Sequence, residues 1–96
     1  MAIKIVKLTQ ESETAPAKYS GTVQTSPTLF CDFFFYFKHC RWNLELYTPG
    51  GDLDLDGYIG EGGELDDMNK TVATSIITYA LATLLGDAEV VWKLRE

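Results

Sequence analysis

The sequence predicts an α+β fold in two layers, an antiparallel sheet of four to six strands covered on one face by one long helix. Three observations lead to it. Thr28–Thr48 (TLFCDFFFYFKHCRWNLELYT) carries six aromatics ahead of a polar break at Lys38–Arg41, the composition of two paired strands around a turn. Residues from about Leu65 to Leu85 repeat apolar side chains at helical spacing. The C-terminal EVVWKLRE alternates with period two, as a last strand does, with a second short helix capped by Asp87 as the alternative. At 96 residues the chain makes a single domain spanning 1–96.

Taken in order, Ala2–Thr9 is β-branched and reads as a first strand, and its imperfect alternation points to a bulge or an edge. Gln10–Ala17 is polar with a proline and reads as a loop. Tyr19–Thr25 sets Tyr19, Gly21, Val23 and Thr25 on one face of a second strand that Gly21 weakens. Ser26-Pro27 then starts a turn.

The central hairpin, 28–48, has a register that its own side chains specify. Reversal at His39-Cys40 pairs Phe37/Trp42, Phe35/Leu44, Phe33/Leu46 and Cys31/Thr48 on one face, and Lys38/Arg41, Tyr36/Asn43, Phe34/Glu45 and Asp32/Tyr47 on the other. A slip of one residue would mix the two sets. Cys31 and Cys40 then lie roughly 30 Å apart along an extended strand, whereas a disulfide needs Cα atoms within about 7 Å. Cys31 then reads as a core thiol and Cys40 as a turn thiol, which suits a reducing compartment.

After Thr48 the chain is rich in glycine. Asp52–Gly60 alternates Leu53 and Leu55 with aspartates and meets Asp56-Gly57, a two-residue turn signal that predicts a short second hairpin. Gly62-Gly63 would let the chain swing into the helix. In that helix Leu65, Met68, Val72, Ala73, Ile76, Ile77, Tyr79, Ala80 and Leu84 share half of the circumference, opposite Asp67, Thr71, Thr74 and Thr78. The stripe is expected to cover Phe33, Phe35 and Phe37. Gly86 is placed as the left-handed residue that ends the helix. No charged residue occurs from Thr71 to Gly86, and Leu81 and Leu85 are expected to point away from the stripe. The outer side is therefore covered by other parts of the chain, or it joins copies in a homodimer.

Charge is the most informative feature for function. The net charge is −6, and residues 52–67 hold seven acids without a lysine or arginine, leaving seven acids and eight bases for the rest of the chain. That distribution excludes direct nucleic-acid binding by the acidic segment and points to a basic partner or a cation. No run of about 20 apolar residues suggests a membrane span, so a cytoplasmic protein without membrane contact is expected.

Asp52-x-Asp54-x-Asp56-Gly57 resembles the start of an EF-hand calcium loop, with oxygen ligands at the first, third and fifth positions and a glycine at the sixth. The resemblance covers six residues; the place of the bidentate glutamate is taken by Gly63, Glu64 comes one residue late, and no helix precedes Asp52. It implies, as an alternative, a calcium-stabilised module. Catalysis has no comparable signal, since His39 has no companion marking a nucleophile and base. His39 and Cys40 are too few for a structural zinc site. The glycine-rich stretches lack the lysine of a phosphate loop, and no cofactor is called for.

The expected function is that of a small acidic, non-enzymatic protein that binds another macromolecule. Its most concrete form is an inhibitor or antagonist of the kind encoded by phages and mobile elements, offering the 52–67 lobe to a basic protein surface such as that of a nucleic-acid-binding protein. Carboxylates two residues apart on a strand repeat at roughly 6.6 Å, on the scale of phosphates, so the lobe has the character of a nucleic-acid mimic. The expected contact residues are Asp52, Asp54, Asp56, Glu61, Glu64, Asp66 and Asp67, with Tyr36 and Tyr47 as aromatic anchors.

Overall fold

The computed structural model describes residues 2–12, 17–59 and 70–94. Within them the chain runs β1 (Ala2–Ser12), β2 (Ala17–Ser26), β3 (Leu29–Lys38), β4 (Arg41–Thr48), β5 (Gly51–Tyr58), α1 (Lys70–Leu84) and β6 (Glu89–Trp92). The strands form one sheet in the order β5-β4-β3-β2-β1-β6. Neighbours from β1 to β5 are antiparallel, and β6 runs parallel to β1. The sheet is therefore mixed rather than purely antiparallel. The reason is the crossover: α1 carries the chain back along the sheet, so β6 starts from the same end as β5 and β1 and enters in their direction.

The β3–β4 hairpin has the expected register, seven pairs from Asp32/Tyr47 to Lys38/Arg41. Its two-residue turn places His39 at φ 52° and Cys40 at φ 63°, the left-handed pair that matches the twist of the strands. Both cysteines are buried. In β1 the imperfect alternation is a bulge, since Ile5 pairs with Val23 but Lys7 pairs with Thr22. The extra residue, Val6, transfers inward orientation from Ile3 and Ile5 to Leu8, so all three face the core although their spacing is not regular.

The loop expected at Gln10–Ala17 is shorter than the sequence suggested. Gln10, Ser12, Ala17 and Lys18 are strand residues, a second register shift falls between Gln10 and Ser12, and the Ser20 hydroxyl donates to Glu11 at 2.7 Å. In β2 the Phe33 ring occupies the space that a side chain at Gly21 would take, so the glycine is filled from the neighbouring strand.

One face of the sheet is the core. Tyr19, Phe33, Phe35, Phe37, Leu44 and Leu46 are essentially inaccessible there, beneath Ala73, Ile77, Ala80 and Leu81 of the helix. Burying each large apolar side chain stabilises by about 1.5–3 kcal/mol.

The helix covers the expected phenylalanines but is turned about its axis by about 70°, at 100° per residue. Leu81 is buried, whereas Tyr79 is 61% exposed and Val72 37%. Thr78 is half-buried and accepts a hydrogen bond from the Trp92 indole at 2.9 Å. Val90 and Trp92 of β6 extend the core past β1, and the Trp92 bond holds the Thr78 side of the helix toward the sheet. Residues 65–69 of the expected helix lie outside the described residues.

The uncharged run on α1 has a local account. Hydroxyls of Thr74, Ser75, Thr78 and Thr83 each donate to a carbonyl three or four residues earlier, at 2.7–3.0 Å. Gly86, at φ 73°, ends the helix as expected: its N–H donates to the Thr83 carbonyl and that of Asp87 to the Ala82 carbonyl at 2.8 Å.

Candidate functional site

The face of the sheet opposite α1 carries the charges. Rows across it follow from the strand registers. One row reads Lys18, Tyr36, Asn43, Asp56; the next Ser20, Phe34, Glu45, Asp54; the third Lys7, Thr22, Asp32, Tyr47, Asp52. Phe30 is 50% exposed on this face and Tyr47 42%, and Tyr58 at the β5 end is 59% exposed.

Of the expected contact residues, Asp52, Asp54, Asp56, Tyr36 and Tyr47 come together here on three adjacent strands. Glu61, Glu64, Asp66 and Asp67 lie outside the described residues. The three aspartates are exposed. Their cross-strand neighbours on β4 are Tyr47, Glu45 and Asn43, none of them a cation. Lys7 lies four strands away and Lys18 three, or roughly 19 and 14 Å at 4.8 Å per strand. Both distances exceed the Debye length of about 8 Å at physiological salt, so these lysines leave the field of the aspartates standing. Arg41, paired with Tyr58 at the end of the strand, is the nearer cation among the described residues.

Tyr47 registers this field. Its hydroxyl donates to Glu45 at 2.8 Å, and that bond, partial burial and the charges of Glu45 and Asp52 raise its pKa above the ordinary 10.0.

The second hairpin expected around Asp56-Gly57 is not formed. β5 runs unbroken from Gly51 to Tyr58 against β4, and the reversal lies at Pro49-Gly50. The physical reason is Trp42. A Cβ at position 57 would lie 2.5 Å from Trp42 Cε2 and 2.6 Å from Nε1, so the indole lies directly over the glycine. The residue that signals a turn in the sequence serves a close approach instead.

The straight strand also bears on the calcium alternative, whose Glu64 lies outside the described residues. A loop gathers its ligands around an ion at 2.3–2.6 Å; here Asp52, Asp54 and Asp56 project from an extended strand at roughly 6.6 Å intervals, and no cluster of metal-ligating side chains occurs among the described residues.

Two clefts flank β5. One, of about 640 Å³, opens at the hairpin end of the charged face between Tyr36, Arg41, Asn43, Asp56 and Tyr58. The other, of about 390 Å³, lies on the helix side between Leu55, Ile59, Ile76 and Tyr79. Asn43 and Glu45 were legible as parts of this region from the hairpin register, and Leu53 from its alternation with the aspartates; Tyr58 required β5 to continue through Gly57. Among the described residues no helix is long and apolar enough to cross a membrane. Comparison with protein-family models, with curated proteins and with solved structures gives no match for this chain.

Proposed function

We propose that this chain is a non-enzymatic binding protein, an inhibitor or antagonist, that presents the acidic β5 side of its sheet to a basic surface on another protein. The observation that supports this reading best is the alignment of Asp52, Asp54 and Asp56 on one exposed side of the outermost strand, without a cation opposite them on β4. Aligned carboxylates steer a cationic partner over distance and fix its register on contact, and they do so without a catalytic group. Tyr47, Tyr36 and Tyr58 supply aromatic surface next to the carboxylates, the residue type enriched where interfaces are buried. The spacing of the carboxylates suits a groove that otherwise holds a nucleic-acid backbone, which makes a nucleic-acid-binding protein the favoured target.

The test is capture of the partner from lysate of the native host at low and high salt, using the protein and its Asp52→Asn/Asp54→Asn/Asp56→Asn variant. The expected result is a basic protein that elutes with salt and is lost with the variant, whose melting temperature stays close to that of the parent. Equal capture by both forms would remove the basis of the reading.

A further inference from the structure

The direction of the backbone groups along β5 follows from one hydrogen bond. Ile59 N–H donates to the Cys40 carbonyl at 2.9 Å, which makes 40/59 a hydrogen-bonded pair. Bonded and non-bonded pairs alternate in an antiparallel ladder. Along the β4–β5 register the bonded pairs are then Trp42/Gly57, Leu44/Leu55, Leu46/Leu53 and Thr48/Gly51. The last of these closes a two-residue turn, as a bonded pair should. The N–H and C=O groups of Asp52, Asp54, Asp56 and Tyr58 therefore point away from β4, to the open side of the sheet, where no described strand lies.

Such an edge is a template for another strand unless something guards it. At the opposite edge β6 is only four residues long. β5 has eight residues, no proline and no shift of register against β4. Its guards are the three carboxylates, and they discriminate. A second copy of β5 would set aspartates beside aspartates, whereas a strand with cations on that face would meet opposite charge. The helix side of the same edge is apolar: Leu53 is 37% exposed, and the cleft beside Leu55, Ile76 and Tyr79 has room for a side chain.

We infer that β5 takes up an extended partner segment as a seventh strand, one whose side chains alternate between cationic and apolar. Its cations lie over Asp52, Asp54 and Asp56, its apolar residues cover Leu53 and enter the cleft by Tyr79, and its backbone pairs with the outward groups of residues 52, 54, 56 and 58. This is recognition by strand addition, with main-chain bonds for affinity and alternate side chains for selectivity. The inference rests on the proposed role of the acidic strand and adds the form of the contact.

The test uses a blocked nine-residue peptide of alternating lysine and valine, and a second peptide of the same composition with all lysines before all valines. Amide hydrogen exchange is followed residue by residue. The alternating peptide is expected to slow exchange of the Asp52, Asp54, Asp56 and Tyr58 amides at least tenfold, to leave Leu53 and Leu55 as they were, and to bind at least tenfold more tightly than the block peptide. Equal binding of the two peptides, or unchanged exchange at the four amides, overturns strand addition.

Asp54→Pro sharpens the test. The lost N–H faces outward, so no bond to β4 is broken. Its melting temperature should stay near that of Asp54→Asn while the peptide binds at least tenfold more weakly; equal affinity of these two variants also overturns the inference. Loss of the lysate partner by the triple asparagine variant, with the four amides unprotected in the wild-type complex, would leave the acidic-surface reading standing and remove strand addition alone. Retention of that partner by the triple variant would remove the acidic-surface reading itself.

Discussion

Gly57→Ala tests the reading of β5 directly. An alanine Cβ would meet Trp42 Cε2 at 2.5 Å and Nε1 at 2.6 Å, against about 3.5–4.0 Å for ordinary contact between heavy atoms. The indole must therefore retreat by roughly 1 Å. Moving it disturbs its packing on Phe35, with ring centroids 6.3 Å apart, and its edge-on contact with Tyr79 at 6.4 Å. Overpacking of this kind costs about 1–3 kcal/mol. Replacing glycine in an extended strand returns about 0.5–1 kcal/mol of chain entropy. The net expectation is a loss of about 1–2 kcal/mol, or a fall in melting temperature of roughly 5–15 °C for a domain of this size. Urea unfolding followed by tryptophan fluorescence measures it. The same substitution in a Trp42→Leu background isolates the contact, and there the cost should vanish or change sign. A cost that persists without the indole would mean that the backbone at 57 is itself strained, as in a turn. Wild-type stability of Gly57→Ala would refute the close approach altogether.

Three other outcomes follow from the same geometry. Successive carboxylates of Asp52, Asp54 and Asp56 repel by about 0.6 kcal/mol across roughly 6.6 Å of water, so the triple asparagine variant should match wild type within about 1 kcal/mol in urea unfolding. Absorbance titration should find the Tyr47 phenol ionising above 10.0 and returning toward it in Glu45→Ala, because the bond to Glu45 is the largest cause of the shift. A raised folded value means that the unfolded chain loses this proton first, so the contribution of Tyr47 to stability is present below about pH 10 and is lost as pH rises through the folded value. Thr78→Val removes the acceptor of the Trp92 indole N–H and should cost about 1 kcal/mol, and Thr78→Lys should lower the melting temperature, since Thr78 is half-buried beside β6. A stable Thr78→Lys protein would contradict this placement of the helix.

The site was legible in part, for reasons that the residues make plain. Asp52, Asp54 and Asp56 share a face because side chains alternate along any strand, and this holds whatever the strand pairs with. Their company did not follow from local pattern. Glu45 and Tyr47 became their neighbours only because the chain reverses at Pro49-Gly50 and lays β5 along β4. Asp-Gly has two uses in a sheet, and only the position of the Trp42 ring selects between them. The calcium alternative turns on the same point, since Asp52, Asp54 and Asp56 lie on a paired strand where it expects a loop.

By itself the sequence determined what depends on near neighbours along the chain: the β3–β4 register from facing aromatic and polar sets, the His39-Cys40 reversal, the helix and its Gly86 end, and the concentration of negative charge in one segment. Only the tertiary structure decided the parallel entry of β6 beside β1, the turn of the helix that buries Leu81 and exposes Tyr79, and the place of β5 at the edge. Periodicity assigns each side chain to a face of its own element. Which element lies across that face depends on contacts between residues far apart in the chain, and the Trp92–Thr78 bond and the Trp42 ring over Gly57 are two such contacts.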